Sequence, residues 1–405
     1  MPAKEVPGAV PHGLAWTGES AERWRAVRQV LTVHRYELGR VAARLYSEVP
    51  RVASADLLCR EEWVPAAPLR LDDLALHWAE GAPDEDAGPG HRGAAGPGTG
   101  RYAEASRRVR PARPDGEPYG SYAEAVAALD RPELFENRPC YRLLDARLTG
   151  PAGLRLGETS YFAGIDLGHA VAHELAAAWE RAGDAVRTAD LPLRSLAGDP
   201  CALPRRQSLI AVTTLTLRRD AAGGASFVLH WRDPAKVNHG GGLYQVMPVG
   251  LFQPVTGAAA ALRHDLSLWK SMAREYSEEF LGTPEDYPTS GGLLDYDGWP
   301  FYRRLTDAMR AGRLTVHCLG LGVDPLTFAT DLLAVAVFDA DLFEAEFAGL
   351  VARNSEGRVI TGGGLAGIPF TAGTVDRLTD GREPLQASGA ALLRLAWEYR
   401  GHLLG

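Results

Sequence analysis

Three carboxylates stand at helical spacing in the segment Arg274-Glu275-Tyr276-Ser277-Glu278-Glu279, which constrains the fold more than any other stretch of the chain. A helix would place Glu275, Glu278 and Glu279 on one face, because residues three and four apart are neighbours on a helix surface. Apolar residues recur at helical spacing on the other side, at Trp269, Met272, Ala273, Tyr276 and Phe280. The pattern predicts a helix that packs one face against a core and gathers negative charge on the other.

The negative charges on this helix face repel one another unless a cation lies among them. Like charges at these spacings destabilise a helix by about 0.2–0.5 kcal/mol per pair. A divalent cation bound among the carboxylate oxygens would offset that repulsion. The alternative interpretation is an ordinary solvated acidic face without a ligand.

The segment resembles the helical half of the Nudix box, the loop–helix signature of Nudix hydrolases, which reads Arg-Glu-apolar-any-Glu-Glu-any-Gly-apolar. Tyr276 fills the apolar place, and the glycine stands one residue late, at Gly282. The resemblance implies that Glu275, Glu278 and Glu279 bind Mg²⁺ or Mn²⁺ against a substrate diphosphate. It also implies that Arg274 orients one of these glutamates through an ion pair.

The loop half of the box departs from the family pattern. Leu266 stands where the family has a glutamate, and Ala260 stands where it has a glycine. A displaced glycine, Gly250, lies in the run Tyr-Gln-Val-Met-Pro-Val-Gly-Leu-Phe-Gln-Pro (244–254), which looks like the strand and turn before a Nudix loop. An insertion of about ten residues would explain the displacement, since surface loops lengthen at low entropic cost.

Two functions follow from this divergent box. The intact Arg274 and glutamates favour a metal-dependent hydrolase that cleaves a phosphoanhydride in a nucleoside diphosphate-linked small molecule. Leu266 and Ala260 instead favour a catalytically silent protein that keeps the fold and senses a nucleotide without cutting it.

Catalytic and substrate-binding candidates follow from the same resemblance. Because Leu266 removes the loop glutamate, the base must come from Glu279 or from another loop; Asp295, Asp297 and Glu356 lie in segments that can reach the site. We take Glu279, Arg274 and Glu356 as the catalytic candidates. The substrate-binding candidates are Arg232 and His239, which flank a predicted hairpin, together with Gly250, although a turn also accounts for His239.

Strand and helix patterns alternate in the C-terminal half. Apolar and β-branched runs predict strands at 208–217, 226–232, 244–247, 314–320 and 332–338, and Gly240–Gly242 predicts a hairpin turn. Helical patterns cover 300–311, 341–352 and 385–404, and Asp265 is the predicted cap of the acidic helix. This order predicts an α/β protein, with a Nudix-like α/β/α sandwich around a mixed sheet over residues 201–405.

Residues 1–200 have a different character and are predicted to form a separate, α-rich region. Helical patterns cover 20–46, with Ser20 as the cap, then 122–129 and 168–182. The run from about residue 80 to 101 consists mainly of Gly, Pro, Ala and charged residues, which predicts a disordered loop. His169 and His173 are spaced for a shared metal, but Glu174 follows the pair instead of standing inside it, so a zinc site is disfavoured.

Composition narrows the class of protein. The formal net charge of −8 and the pI near 5.8 disfavour nucleic-acid binding and favour a soluble protein that handles small molecules. The family resemblance is what implies a nucleotide-type substrate. No apolar run of about 18 residues and no signal-type amino terminus occurs, so we predict a cytoplasmic protein without membrane contact. The cysteines show no paired motif and are predicted to be buried thiols. The sequence is compatible with a homodimer.

Overall fold

The structure is a computed structural model of the chain. It describes residues 20–79, 99–133, 135–237, 240–284, 289–290, 292–362 and 367–405.

Helices and short strands alternate in the first half of the chain. The elements are α1 (Ala21–Val33), α2 (Arg35–Arg44), β1 (Leu69–Arg70), β2 (Ala75–Trp78), α3 (Thr99–Arg108), α4 (Tyr122–Leu129), β3 (Pro139–Arg147), β4 (Gly153–Ser160), α5 (Tyr161–Ala182) and α6 (Pro192–Ala197).

The second half contributes most of the strands. The elements are β5 (Ile210–Arg219), β6 (Ala225–Phe227), β7 (Leu229–Arg232), β8 (Tyr244–Val246), β9 (Val249–Leu251), α7 (Ala259–His264), α8 (Leu268–Glu275), β10 (Thr289–Ser290), β11 (Leu293–Leu294), α9 (Pro300–Arg310), β12 (Leu314–Val323), β13 (Thr330–Asp339), α10 (Ala340–Glu346), β14 (Gly357–Ile360), β15 (Ile368–Pro369), α11 (Ala372–Thr379), α12 (Ala387–Glu398) and α13 (Arg400–Leu404).

A mixed seven-stranded sheet forms the centre of the molecule. Its order is β1-β12-β13-β5-β6-β15, and β9 also pairs with β5. Strands β13 and β5 run parallel, from Thr330 opposite Ile210 to Asp339 opposite Arg219, and the other pairs are antiparallel. Strands β12 and β13 are almost wholly buried, and β13 accordingly reads as a continuous apolar run over residues 332–338.

Helices cover both faces of this sheet. On one face, the Tyr276 hydroxyl lies 2.8 Å from the Thr216 hydroxyl of β5, and the rings of Tyr276 and Phe338 lie 5.5 Å apart. On the other face, Leu333 of β13 and Leu395 of α12 both approach Gly320 of β12. The predicted α/β class is therefore confirmed.

Two smaller three-stranded sheets flank the central one. Strand β7 lies between β14 and β8, and the turn between β7 and β8 contains Gly242 with φ at +81°. The hairpin predicted at Gly240–Gly242 is confirmed, since a positive φ suits glycine. The other sheet, β2-β4-β3, lies in the first half of the chain.

The first half differs from its prediction in several places. Ser20 caps α1 as predicted, by accepting a hydrogen bond from the Arg23 amide at 3.1 Å. Beside the predicted helices, however, this half contains the β2-β4-β3 sheet, and β1 joins the central sheet next to β12. Most of the predicted disordered loop, residues 80–98, lies outside the described residues, but residues 99–101 belong to α3.

The remaining N-terminal motifs have structural partners. On α5, the ring Nδ1 of His173 lies 3.0 Å from the Tyr122 hydroxyl. The Glu174 carboxylate accepts hydrogen bonds from the amides of Leu193 and Arg194 at the start of α6. Helix α5 begins seven residues before its predicted start, where Ser160 caps it.

The structure also shows the state of the cysteines and the character of the helices. Cys59, Cys140, Cys201 and Cys318 are free and buried, as predicted. Among the described residues, no helix combines the length and apolar character that a bilayer crossing needs.

Candidate functional site

The predicted acidic helix exists, and a π-helical turn follows it. Helix α8 passes into a π turn over Tyr276–Phe280, and both of these aromatic side chains are buried. Its cap is Ser267, whose hydroxyl accepts from the Lys270 amide at 3.3 Å, so the prediction that Asp265 caps this helix is wrong. The Asp265 carboxylate is buried and accepts from the Val255 amide instead. π turns inside helices are frequent at functional sites.

Glu279 is the most deeply buried carboxylate of this segment. The amide of Val249, at the start of β9, donates to Glu279 Oε1 at 2.7 Å. The other oxygen, Oε2, has no hydrogen-bond partner among the described residues. His230 Nδ1 lies 3.8 Å from that oxygen. A buried acceptor without a donor is costly unless a ligand completes it.

Glu275 packs against bare backbone. A Cβ built on Gly250 would come within 1.8 Å of the Glu275 carboxyl carbon and Oε1, so only glycine leaves room for this carboxyl. Gly250 lies in β9, which pairs with β5. The displaced glycine of the sequence therefore lies beside the acidic helix, and its function there is to admit the Glu275 side chain.

Glu356 approaches the same site from a different part of the chain. Its carboxylate forms a 2.7 Å ion pair with Arg232 of β7. The turn that carries it is fixed by Asn354, whose Oδ1 accepts from the amides of Glu356 and Gly357. Asn354 Nδ2 also donates to the main-chain oxygen of Glu279 at 3.2 Å. This asparagine links the Glu356 turn to the π turn.

The carboxyl groups of Glu275 and Glu279 have pKa values well above the ordinary range. Burial is the main cause for both pKa values. Repulsion by Glu278, Glu279 and Glu356 adds to the rise for Glu275, whereas Arg274 opposes it. For Glu279, repulsion by Glu356 adds to the rise in pKa, and the Val249 hydrogen bond and Arg232 oppose it. The four glutamates thus act on one another electrostatically.

His230 contributes a neutral imidazole to this group. Burial and the nearby Arg232 cation lower the pKa of His230 to about 3. The ring is almost inaccessible, and its Nε2 lacks a hydrogen-bond partner within the described part of the chain. A neutral imidazole can ligate a cation or accept a proton. Sequence reasoning missed His230, because a single histidine inside a strand carries no motif.

The predicted site residues are brought together only in part. Arg274 donates to the main-chain oxygen of Gln253 at 2.7 Å as well as lying near Glu275. Asp295 accepts from the Gly298 amide in a local turn. His239 lies outside the described residues. Asp297 lies in the same turn as Asp295. The six other candidates lie on α8, the π turn, β7, β9 or the turn before β14.

The geometry does not form a ready-made metal cage. Over the described ranges, no group of three or more His, Cys, Asp or Glu side chains is arranged to hold a metal ion. Comparison with known protein families and with curated proteins finds no match to this sequence. The Nudix resemblance therefore stays a prediction from the motif.

Proposed function

We propose that this protein is a metal-dependent Nudix-type pyrophosphohydrolase with a Nudix-like α/β/α fold in residues 201–405. Its substrate is a nucleoside diphosphate-linked small molecule, in which it cleaves a phosphoanhydride. The observation that carries this proposal is the buried Glu279 Oε2, which lacks a hydrogen-bond partner among the described residues and lies amid three further glutamates. A cation bound there would both complete that acceptor and relieve the mutual repulsion of the carboxylates.

The donor set suits a hard divalent cation. Glu279 supplies one available oxygen, and Glu275 and Glu278 extend from the same helical segment, so these three would hold Mg²⁺ or Mn²⁺ after side-chain rotation. The neutral His230 adds a nitrogen donor that Mn²⁺ accepts more readily than Mg²⁺ does. When bound, the cation supplies positive charge that stabilises the substrate diphosphate.

Three further residues account for phosphate binding, proton removal and positioning of the acidic segment. Arg232 presents a guanidinium beside the glutamates and is the phosphate-binding candidate. Glu356 is the better candidate for the base that removes a proton from water, because its side chain is 25% exposed, against 5% for Glu279. Arg274, bound to the Gln253 carbonyl, positions the first turn of the acidic segment against the loop.

The alternative is a catalytically silent protein that senses a nucleotide. The residues at the family glutamate position favour it. Leu266 occupies the family glutamate position and packs against the core. Its neighbour Asp265 cannot take over as a base, because both its oxygens are engaged, by the Val255 amide and by the Tyr296 hydroxyl. The loop before α8 thus offers no free carboxylate at that point.

The decisive experiment measures phosphate-containing products from a panel of nucleoside diphosphate derivatives with Mg²⁺ or Mn²⁺. Glu279→Gln keeps the acceptor for the Val249 amide but removes the ionisable oxygen, and should lower turnover at least 100-fold. Glu398→Gln, on the exposed side of α12, is the matched control and should turn over like wild type.

The outcomes separate the two functions. Turnover that disappears in Glu279→Gln supports the hydrolase. No turnover across the panel, with Mg²⁺-dependent nucleotide binding that Glu279→Gln abolishes, supports the sensor. Turnover that is equal in both variants excludes the acidic helix from the reaction.

A further inference from the structure

A cavity lies on the sheet face opposite the acidic helix. It has a volume of about 170 Å³ and is bounded by α2, the turn at Ser54–Asp56, the β7–β8 hairpin and the start of α12. A water molecule needs only about 10–15 Å³ of such space. The cavity therefore has room for a small organic ligand, at the junction between the N-terminal helices and the central sheet.

Asp331 and Thr216 show that the two sites face opposite ways. Asp331 lines the cavity and lies an odd number of positions before Ala336 on β13. Ala336 is opposite Thr216 of the neighbouring parallel strand β5. Thr216 contacts Tyr276 beside the acidic cluster. Side chains alternate between the faces of a sheet, so Asp331 and Thr216 lie on opposite faces. Arg232 lies between the two sites, because it pairs with Glu356 and also acts electrostatically on Arg35 and Asp331.

The first turn of α12 lines the cavity with backbone amides that favour an anion. Ala387 and Ser388 line it, and the amides of residues 387, 388 and 389 have no acceptor among the described residues. The Gln386 side chain does not cap the helix, because its oxygen accepts from Gln245 Nε2 at 2.5 Å. Uncapped amides and the helix dipole favour a bound anion.

Buried and exposed arginines strengthen this preference. Arg35 is 9% exposed and lines the cavity, so its guanidinium is largely removed from water. Arg40 lies one helical turn further along α2, at the exposed rim. A guanidinium at the buried wall binds a phosphate in a fixed orientation.

The acidic residues of the cavity differ in how many hydrogen-bond and ion-pair partners they already have. Asp56 is paired with Arg51, and Asp380 accepts from the Arg382 amide. Asp324 accepts from the Leu326 and Thr327 amides and also attracts Arg35. Asp331 is buried and accepts one hydrogen bond, at 2.6 Å from the Thr213 hydroxyl. Its carboxyl remains a site to which a ligand hydroxyl can donate.

We propose that this cavity binds a small phosphate ester that carries free hydroxyl groups, with the phosphate at Arg35 and the start of α12 and a hydroxyl at Asp331. The proposal does not rest on the proposed hydrolase activity, although Arg232 borders both sites. A ligand here contacts both the N-terminal helices and the central sheet, so its binding stabilises their junction.

The test uses ribose 5-phosphate as the probe on the full chain, with binding measured by calorimetry and by the shift in melting temperature. Ala387→Pro removes one amide at the first position of α12, where proline is tolerated, and the extended backbone at Gln386 suits a following proline. It should weaken binding at least threefold without lowering the melting temperature of the free protein. Ala372→Pro, at the same position of α11, is the matched control.

Arg35→Gln should weaken binding at least tenfold, whereas Arg44→Gln, on the same helix but outside the cavity, should have no effect. Inorganic phosphate should bind more weakly than ribose 5-phosphate. Glu279→Gln should bind the probe like wild type, which keeps this result distinct from the hydrolase test. No binding, equal binding in Ala387→Pro and Ala372→Pro, or preferential binding of the cation spermidine would each overturn the proposal.

Discussion

At the scale of single residues, the candidate cation site depends on burial as much as on charge. Glu279 is held by one amide at 2.7 Å, while its second oxygen has no hydrogen-bond partner among the described residues. Glu275 occupies the space that a side chain at position 250 would fill. The unpartnered Glu279 oxygen is costly in the absence of a ligand, and burial disfavours the charged form of Glu275. Such perturbed groups are frequent at functional sites.

The raised carboxyl pKa values predict how stability varies with pH. Between the ordinary glutamate pKa near 4.5 and the raised folded values, the folded protein binds more protons than the unfolded chain. The free energy of unfolding should therefore fall as the pH rises through this window. In chelator-containing buffer, Glu279→Gln should reduce the fall and be more stable than wild type at pH 8 by about 1–3 kcal/mol.

Urea unfolding at pH 5 and pH 8 measures this effect. Glu398→Gln, whose carboxylate is exposed, should follow the wild-type dependence. Added Mg²⁺ or Mn²⁺ should restore wild-type stability at pH 8 and leave Glu279→Gln unchanged. A wild-type protein that is more stable at pH 8 than at pH 5 in chelator would contradict the assigned direction of the pKa shifts.

Gly250 allows a second residue-scale prediction. Gly250→Ala should destabilise the fold by about 1–3 kcal/mol, because the added methyl group overlaps the Glu275 carboxyl. Gly349→Ala is the control, since a Cβ there meets nothing within 4 Å. In denaturant unfolding, the double variant Gly250→Ala/Glu275→Ala should lose less stability than the sum of the two single variants. Strict additivity would show that the two residues do not contact each other.

At the scale of elements, helix α8 begins at a serine cap and ends in a π turn that the Tyr276 ring anchors to the sheet. The cap fixes where the helix starts and thus which residues face β9. The neighbouring Asp265 has the composition of a cap, but its carboxylate bonds the Val255 amide and the Tyr296 hydroxyl. Local preference was overridden here by tertiary hydrogen bonds.

Substitutions at the two positions distinguish these roles. Ser267→Ala should lower the free energy of unfolding by about 1 kcal/mol, the usual loss for a helix cap. Asp265→Ala should cost more, because two donors at a buried position lose their acceptor. Chemical denaturation of both variants measures the difference. An unaffected Ser267→Ala variant would mean that another group satisfies the Lys270 amide.

At the scale of the whole molecule, the two halves of the chain share one sheet. Strand β1 pairs with β12, and Arg194 of α6 donates to the main-chain oxygens of Pro325 and Leu326 at 2.6 and 2.8 Å. The cavity lined by Arg35 and Asp331 lies at the same junction. Removing residues 1–200 would therefore expose surface of residues 201–405 that is buried in the full chain.

This junction predicts the behaviour of a fragment. Residues 201–405 expressed alone should not unfold cooperatively near the melting temperature of the full chain, because the β12 edge and the Pro325–Leu326 carbonyls lose their partners. Thermal melts followed by circular dichroism compare the two. A fragment that melts cooperatively at the full-length temperature would show that the second half is an autonomous domain.

The sequence by itself determined the elements whose signal is local. The period of apolar residues predicted the acidic helix, and apolar and β-branched runs predicted the long strands β5, β12 and β13. The glycine run predicted the β7–β8 turn, since all of these signals come from residues close together in the chain. Only the tertiary structure decided which distant residues meet. His230, Asn354 and Glu356 join Glu279 from separate segments, and β1 and Asp331 acquire their partners across more than a hundred residues. Such contacts arise from burial and strand pairing, and neither leaves a periodic trace in the sequence.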